Sequence, residues 1–263
     1  MKKAMADVES PTPSGQVRVQ AVERAMALLE ALAGQTQMSL GDLAKAAGVH
    51  KSTAYRILHT LMELRYVEQD KNSGHYRAGL RLVEVGGMTM RSWPLHRAAE
   101  RVMDNVAETL GEAVNLAVED ELRVVYVATV DAHNLLRMQL NVGRRAPLHC
   151  TAVGKALLAF SKEMANRLKG SARPLEALTL RTITDWQALE EELARIHQRG
   201  FAIDDEEQER GACCVAAPII DSHGRVAASL GISAPSARLT PQRAEELGPA
   251  LVQAANAVSL RLG

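Results

Sequence analysis

Apolar positions along the chain recur at two different periods, and the change between them divides the sequence. In the first third the period is helical. Val22, Ala25, Met26, Leu29 and Leu32 fall at i, i+3, i+4 spacings and predict a helix with one apolar face. Ser39 with Asp42 three residues on predicts a capping box ahead of a second helix, which buries Leu40, Leu43 and Ala44. Gly48 then breaks the chain. Ala54, Ile57, Leu58 and Leu61 predict a third helix, leaving Lys51, Ser52, Tyr55, Arg56 and His59 on the outside. Two short helices, a glycine turn and a third helix with a cationic face make a helix-turn-helix. Behind it, Val67 and Gln69, then Tyr76 and Ala78, alternate around the turn-forming Asn72, Ser73 and Gly74, which predicts a β-hairpin wing.

From Leu95 the texture changes. Strand-like runs (AVNLAVE, RVVYVATV, LLRMQL, CCVAAPIID, RVAASLGIS) alternate with helical stretches, one of them near Thr151–Phe160. Gly86 and Gly87, then Ser92–Pro94, punctuate the join, and Pro94 disfavours a helical conformation at Trp93. The chain thus divides into an arm at 1–18, rich in Ser, Pro, Gly and Lys and expected to be disordered, and a winged helix-turn-helix at 19–85. A linker helix at 86–99 and an α+β domain at 100–263 follow.

Composition narrows the class. The 263 residues carry 31 basic and 31 acidic side chains and are 47% hydrophobic, which excludes a wholly disordered chain. No apolar run approaches the roughly 18–20 residues of a membrane span, and no apolar stretch follows the two N-terminal lysines, so a secretory signal is not expected. Three cysteines cannot build a disulfide framework, and a reducing cytoplasm is the expected location. The zero net charge hides a local excess. Between Lys45 and Arg81 seven basic residues face three acidic ones, a balance of 7 − 3 = +4.

That excess sits where DNA would be read. A helix N-terminus offers free N–H groups and a positive dipole end to phosphate, and Arg56 suits the two acceptors of guanine. His50, Lys51, Ser52 and Thr53 lie at the helix entry, Tyr55, Arg56 and His59 along its face, and Lys71, Asn72, His75 and Tyr76 in the wing. The plainer alternative is a helical module for protein contacts, with Arg56 solvated.

The second half carries less decisive chemistry. TAVGKALL places small residues at a helix start, where backbone amides stay accessible, but Ala156 after Lys155 rules out a P-loop. Lys155 pairs with an acid or points to solvent. The acidic run Asp204–Glu207 is read either as a solvated loop or as a polar wall. Cys213 and Cys214 open an apolar strand and face opposite ways, so only one readily faces a pocket. His133, His149, Cys150, His197 and His223 with these two cysteines could ligate zinc, but no CxxC, HxxxH or HExxH spacing occurs, and neither a metal nor another cofactor is expected. No Cys/His/acid constellation points to a nucleophile, so no catalytic residue is expected; the alternatives are a cysteine-dependent enzyme and a thiol redox sensor using Cys213 and Cys214.

Several separated motifs, in order, resemble the IclR family of transcriptional regulators from about Val19 to Leu262. They are VERAMALLEAL, SLGDLAKAAGVHKSTAYRILHTLMELRYVEQD, LHCTAVGKALLA, RGFAIDDEEQERGACCVAAPIID and VAASLGISAPSARLT. The resemblance implies a winged helix-turn-helix, a linker helix and a GAF-like effector-binding domain. It also implies a homodimer or homotetramer on a double-stranded DNA operator, responsive to a small organic acid. Carried over through the motifs, Ala152 and Val153 supply amides, Asp204 a polar wall, Cys214 the pocket-facing thiol and Ser233 a hydroxyl, with Gly231 two residues before it. Leu135, Met138 and Ala146 form the apolar side. Gly231 stands where relatives that bind very small acids often carry Ser, and Ala152 where some carry Gly. The first departure loses a hydroxyl and opens space, and the second adds a methyl near the loop; together they imply a ligand larger than glyoxylate or pyruvate, an aromatic or dicarboxylic acid.

Overall fold

A computed structural model describes residues 18–131, 141–171 and 173–262. It forms two compact units that divide between Met90 and Arg91. The predicted arm and the run LLRMQL, with Leu135 and Met138, lie in large part or wholly outside the described residues.

The first unit contains α1 (Gln20–Leu32), α2 (Leu40–Ala46), α3 (Lys51–Glu63), the hairpin β1 (Val67–Gln69) and β2 (Tyr76–Ala78), and α4 (Leu80–Ser92). Ser39 caps α2 by accepting the Asp42 amide at 3.2 Å and donating to its carboxylate at 2.7 Å. Gly48 takes φ +62°, the left-handed turn that redirects the chain into α3. The core gathers Leu28, Leu32, Leu43, Leu58, Val67 and Tyr76.

Two expectations fail here. The predicted apolar face of α1 is buried only in part. Leu28 and Leu32 fill the core, whereas Val22 and Met26 are 55% and 49% exposed, because they border an open groove between α1 and α3. Nor does Gly86–Gly87 end an element. α4 runs through both, and the chain breaks at Trp93, whose ψ of 118° before Pro94 ends one helix and starts the next. In place of one linker helix at 86–99 there are two helices, 80–92 and 94–110.

The second unit is built on a six-stranded antiparallel sheet. Its strands are β3 (Ala113–Asp120), β4 (Arg123–Val130), β5 (Arg145–Pro147), β6 (Ala202–Asp205), β7 (Ala212–Ile220) and β8 (Val226–Pro235), in the order β5-β4-β3-β8-β7-β6. α6 (Ala152–Ala159), α7 (Lys162–Gly170) and α8 (Trp186–Arg199) pack on one face. α5 (Pro94–Leu110) and α9 (Pro241–Leu262) cover the other. Alternation along the strands decides which side chain meets which layer. On β7, Cys214 and Ala216 pack toward α6, while Cys213 and Val215 turn away. Among the described residues no helix is long and apolar enough to cross a membrane.

Candidate functional site

Two sites take shape, one in each unit. On the first, α3 begins at an N-cap made by His50, whose Nδ1 lies 2.9 Å from Ser52 Oγ and 3.4 Å from the Ser52 amide. Lys51, Ser52, Tyr55, Arg56 and His59 are exposed along one side and Thr53 is half-buried, as the helical period requires once Ala54, Leu58 and Leu61 face the core. Arg65, Arg77 and Arg81 are held in ion pairs with Glu84, Glu68 and Glu84. Lys51, Arg56 and Lys71 have no acidic partner within bonding distance among the described residues. The open cations of this unit therefore include those on the helix face and at the wing tip.

The wing pairs Gln69 with Tyr76 and Val67 with Ala78. Asp70 organises its turn by accepting from the Ser73 amide at 2.7 Å and the Asn72 amide at 3.0 Å. Those bonds, Ser73 first, hold its carboxyl below the usual carboxylate range. Lys71 and Asn72 are left exposed at the tip, with His75 half-buried beside them. Tyr76 cannot serve as a wing contact. It is 2% exposed, packed in the core and bonded through its backbone to Met38 at 2.8 Å in both directions. Arg77, one residue on, faces the other way and takes Glu68.

On the second unit, strand register creates a row. Asp204 on β6 pairs with Cys214 on β7, which pairs with Ser233 on β8. One step along, Ala216, Gly231 and Asn115 lie side by side across β7, β8 and β3. The N-terminus of α6 is laid over this row, and between them is a cavity of about 10 Å³, room for a single water. Thr151 caps α6: its hydroxyl accepts the Gly154 amide at 3.0 Å and donates to the Pro147 carbonyl at 2.9 Å. The amides of Ala152 and Val153 have no hydrogen-bond partner among the described residues, and both residues line the cavity. Gly154 fits because a Cβ there would collide with the Leu148 carbonyl and the Thr151 hydroxyl.

Charge around the cavity is arranged by burial. Lys155 is 1% exposed and contacts the Glu207 carboxylate, so it reaches neither solvent nor the cavity. The acidic run is not a solvated loop. Asp204 is 1% exposed and accepts the Glu207 amide at 2.7 Å, and Thr182 holds the Glu207 carbonyl at 2.6 Å. Burial, reinforced by the neighbouring Glu207, pushes the Asp204 carboxyl up to about 7, against the pull of Lys155 and the Glu207 amide. Burial also pushes the Cys213 thiol up to about 12 and that of Cys214 well above the ordinary range. Among the described residues no three His, Cys, Asp or Glu side chains gather as metal ligands.

Ala152, Val153, Asp204, Cys214, Gly231 and Ser233 are brought together at this cavity. Ala146 is not: it pairs with Val124 and packs in the core beneath α6. Six cavity residues, Asn115, Tyr126, Thr151, Gln208, Val215 and Ile232, were not singled out from sequence. Nor does Gly231 open space. Asn115 Oδ1 and Val153 Cγ1 stand 2.8 and 2.9 Å from where its Cβ would be, so the room expected for a larger ligand is already filled.

Comparison with known proteins places both units. Residues 21–71 match the IclR helix-turn-helix domain, and residues 88–260 match the bacterial transcriptional regulator IclR C-terminal domain. The chain is 34% identical to the HTH-type transcriptional regulator KdgR of Escherichia coli, covering 99% of this chain and 97% of that one. It is also 34% identical to the transcriptional repressor IclR of the same organism, over 94% and 91%. The solved IclR of Thermotoga maritima superposes with a TM-score of 0.76 at 30% identity, over 92% and 98% of the two chains. An IclR homologue from Microbacterium hydrocarbonoxydans, complexed with 4-hydroxybenzoate, gives 0.79 at 26%, over 92% and 98%. The chain belongs to the IclR family of bacterial transcriptional regulators.

Proposed function

We propose that this regulator is a cytoplasmic homodimer or homotetramer, not an enzyme, whose grip on a double-stranded operator is set by a small carboxylic acid bound at the α6–sheet cavity, which widens from its single-water volume to admit the acid. The observation that carries the reading is the row Asp204–Cys214–Ser233 facing the open amides of Ala152 and Val153. Paired amides at a helix start receive a carboxylate, and the polar row fixes the rest of the ligand. In the first unit, Lys51, Arg56 and the residues flanking them enter a major groove, and Lys71, Asn72 and His75 meet the adjacent backbone. The exposed Val22, Met26, Leu80 and Val83 of α1 and α4 give the first unit an apolar surface suited to a second copy. A ligand preferring one arrangement of the assembly shifts the DNA-binding population, and a coupling of about 1–3 kcal/mol gives about 5- to 150-fold regulation.

A redox mechanism is disfavoured because Cys213 and Cys214 are held as thiols, and the thiolate is the reactive form. The test is a thermal-shift screen of the full chain against small carboxylic acids, with operator binding measured for each hit. Stabilisation by at least one acid, lost in Ser233→Ala, is expected. No stabilisation by any acid would refute the reading.

A further inference from the structure

Asn115 is a cavity residue with no role in the reading above. It sits at the centre of the sheet on β3, 1% exposed. Its Nδ2 donates to Ser233 Oγ at 3.1 Å. Its Oδ1 is fully buried and has no hydrogen-bond partner among the described residues. Leaving an acceptor unsatisfied in a protein interior is costly, and native structures rarely do so without a reason. Gly231 lies directly across from Asn115 on β8, and Oδ1 stands 2.8 Å from where a Cβ at 231 would be. A side chain at 231 would displace that oxygen; glycine leaves it in place, on a residue that lines the cavity.

From this geometry we infer that Asn115 is a specificity-determining residue, which selects a hydroxy acid by accepting a hydrogen bond from its hydroxyl group. The inference rests on the proposed carboxylate-binding role of the cavity. The amides of Ala152 and Val153 are donors and suit a carboxylate, which as an anion has no proton to give. The Asn115 oxygen therefore needs a second functional group on the ligand. A hydroxyl donates to it; a keto oxygen brings a second acceptor and leaves it unpaired; a hydrogen in the same place leaves it desolvated and empty. A site built around such a buried group discriminates strongly against the analogue that lacks the partner.

The experiment compares matched acids on the full-length protein by thermal shift and calorimetry. The sets are glycolate, glyoxylate and acetate, and lactate, pyruvate and propionate. Within any set that binds, the hydroxyl member should bind at least tenfold more tightly than its deoxy or keto counterpart. Asn115→Leu should remove the difference between the hydroxyl and deoxy members, weakening the hydroxyl member more than the deoxy member. Asn115→Ala provides a second route that removes the acceptor without adding bulk, so the preference should vanish in a protein that retains the rest of its polar row. The inference is overturned if the keto or deoxy acid binds as well as the hydroxy acid, or if both variants weaken all members of a set equally. If the hydroxyl preference persists in Asn115→Ala, the assignment to Asn115 is wrong. Failure of every acid to bind removes the carboxylate reading itself, and the hydroxyl preference with it.

Discussion

Replacing Asp204 by Asn tests whether the cavity wall is an acid kept largely neutral by its surroundings. Asparagine preserves the shape and can still accept the Glu207 amide now held at 2.7 Å, so the variant removes charge with little repacking. The carboxyl moves from an ordinary 3.8 to about 7 because burial disfavours its ionised form and Glu207 adds a like charge. The sign follows. Between about 4 and 7 the folded chain keeps the proton that the unfolded chain has lost, so stability falls as pH rises across this window. Below it both states are protonated and nothing is lost; above it both are ionised and the loss is complete. At about 1.4 kcal/mol per pH unit the ceiling is about 4 kcal/mol, with Glu207, Lys155, Tyr126 and the thiols of Cys150, Cys213 and Cys214 sharing the coupled field. Urea unfolding of both proteins at pH 4, 5.5, 7 and 8.5 reads the effect. The variant should gain stability relative to the parent as pH rises to about 7 and then hold that margin. A difference that is flat with pH, or one that shrinks, would refute the reasoning.

Three further outcomes follow from the same geometry. Arg56→Ala should weaken operator binding by about 1–3 kcal/mol in a fluorescence titration while unfolding within about 0.5 kcal/mol of the parent, since the side chain is exposed and unpaired; unchanged DNA affinity would remove Arg56 from the interface. Lys155→Met should destabilise by about 3–5 kcal/mol in urea, because it leaves the buried Glu207 carboxylate without its partner; a neutral result would mean that Glu207 takes up a proton at no cost. A bound carboxylate should lose affinity between pH 6 and pH 8 by calorimetry, because it enters beside Asp204 with no cationic side chain in the described lining; pH-independent affinity would place the ligand elsewhere.

The helix-turn-helix was legible because its signals are local. A serine and an aspartate three apart cap α2, one glycine turns the chain, and the period of α3 sorts Lys51 and Arg56 outward. The errors came where a face is decided by something distant. The face of α1 depends on how closely α3 approaches it, and an open groove between the two leaves Val22 and Met26 uncovered. Tyr76 is turned inward by a bridge to Met38, far back in the chain. Gly86 and Gly87 weaken α4 locally without ending it, whereas Pro94 acts through its own ring and was read correctly.

The cavity was legible only through resemblance. Asp204, Cys214 and Ser233 become neighbours through the register of β6, β7 and β8, and Asn115 reaches Ser233 across 118 residues of sequence. No local pattern encodes that contact. The Lys155–Glu207 pair spans 52 residues for the same reason. A single glycine at 231 suggested added room, but neighbours outside its own strand decide whether such room stays empty, and Asn115 and Val153 fill it.

Ligand control of DNA binding requires that the two units be coupled, and the direct measurement is the affinity of the full-length protein for a duplex selected from a random pool, titrated with and without a stabilising carboxylic acid. A saturating acid should change the DNA dissociation constant by about 5- to 150-fold, and saturating DNA should change the acid's affinity by the same factor. An acid that binds the cavity while the DNA dissociation constant stays the same would contradict that coupling.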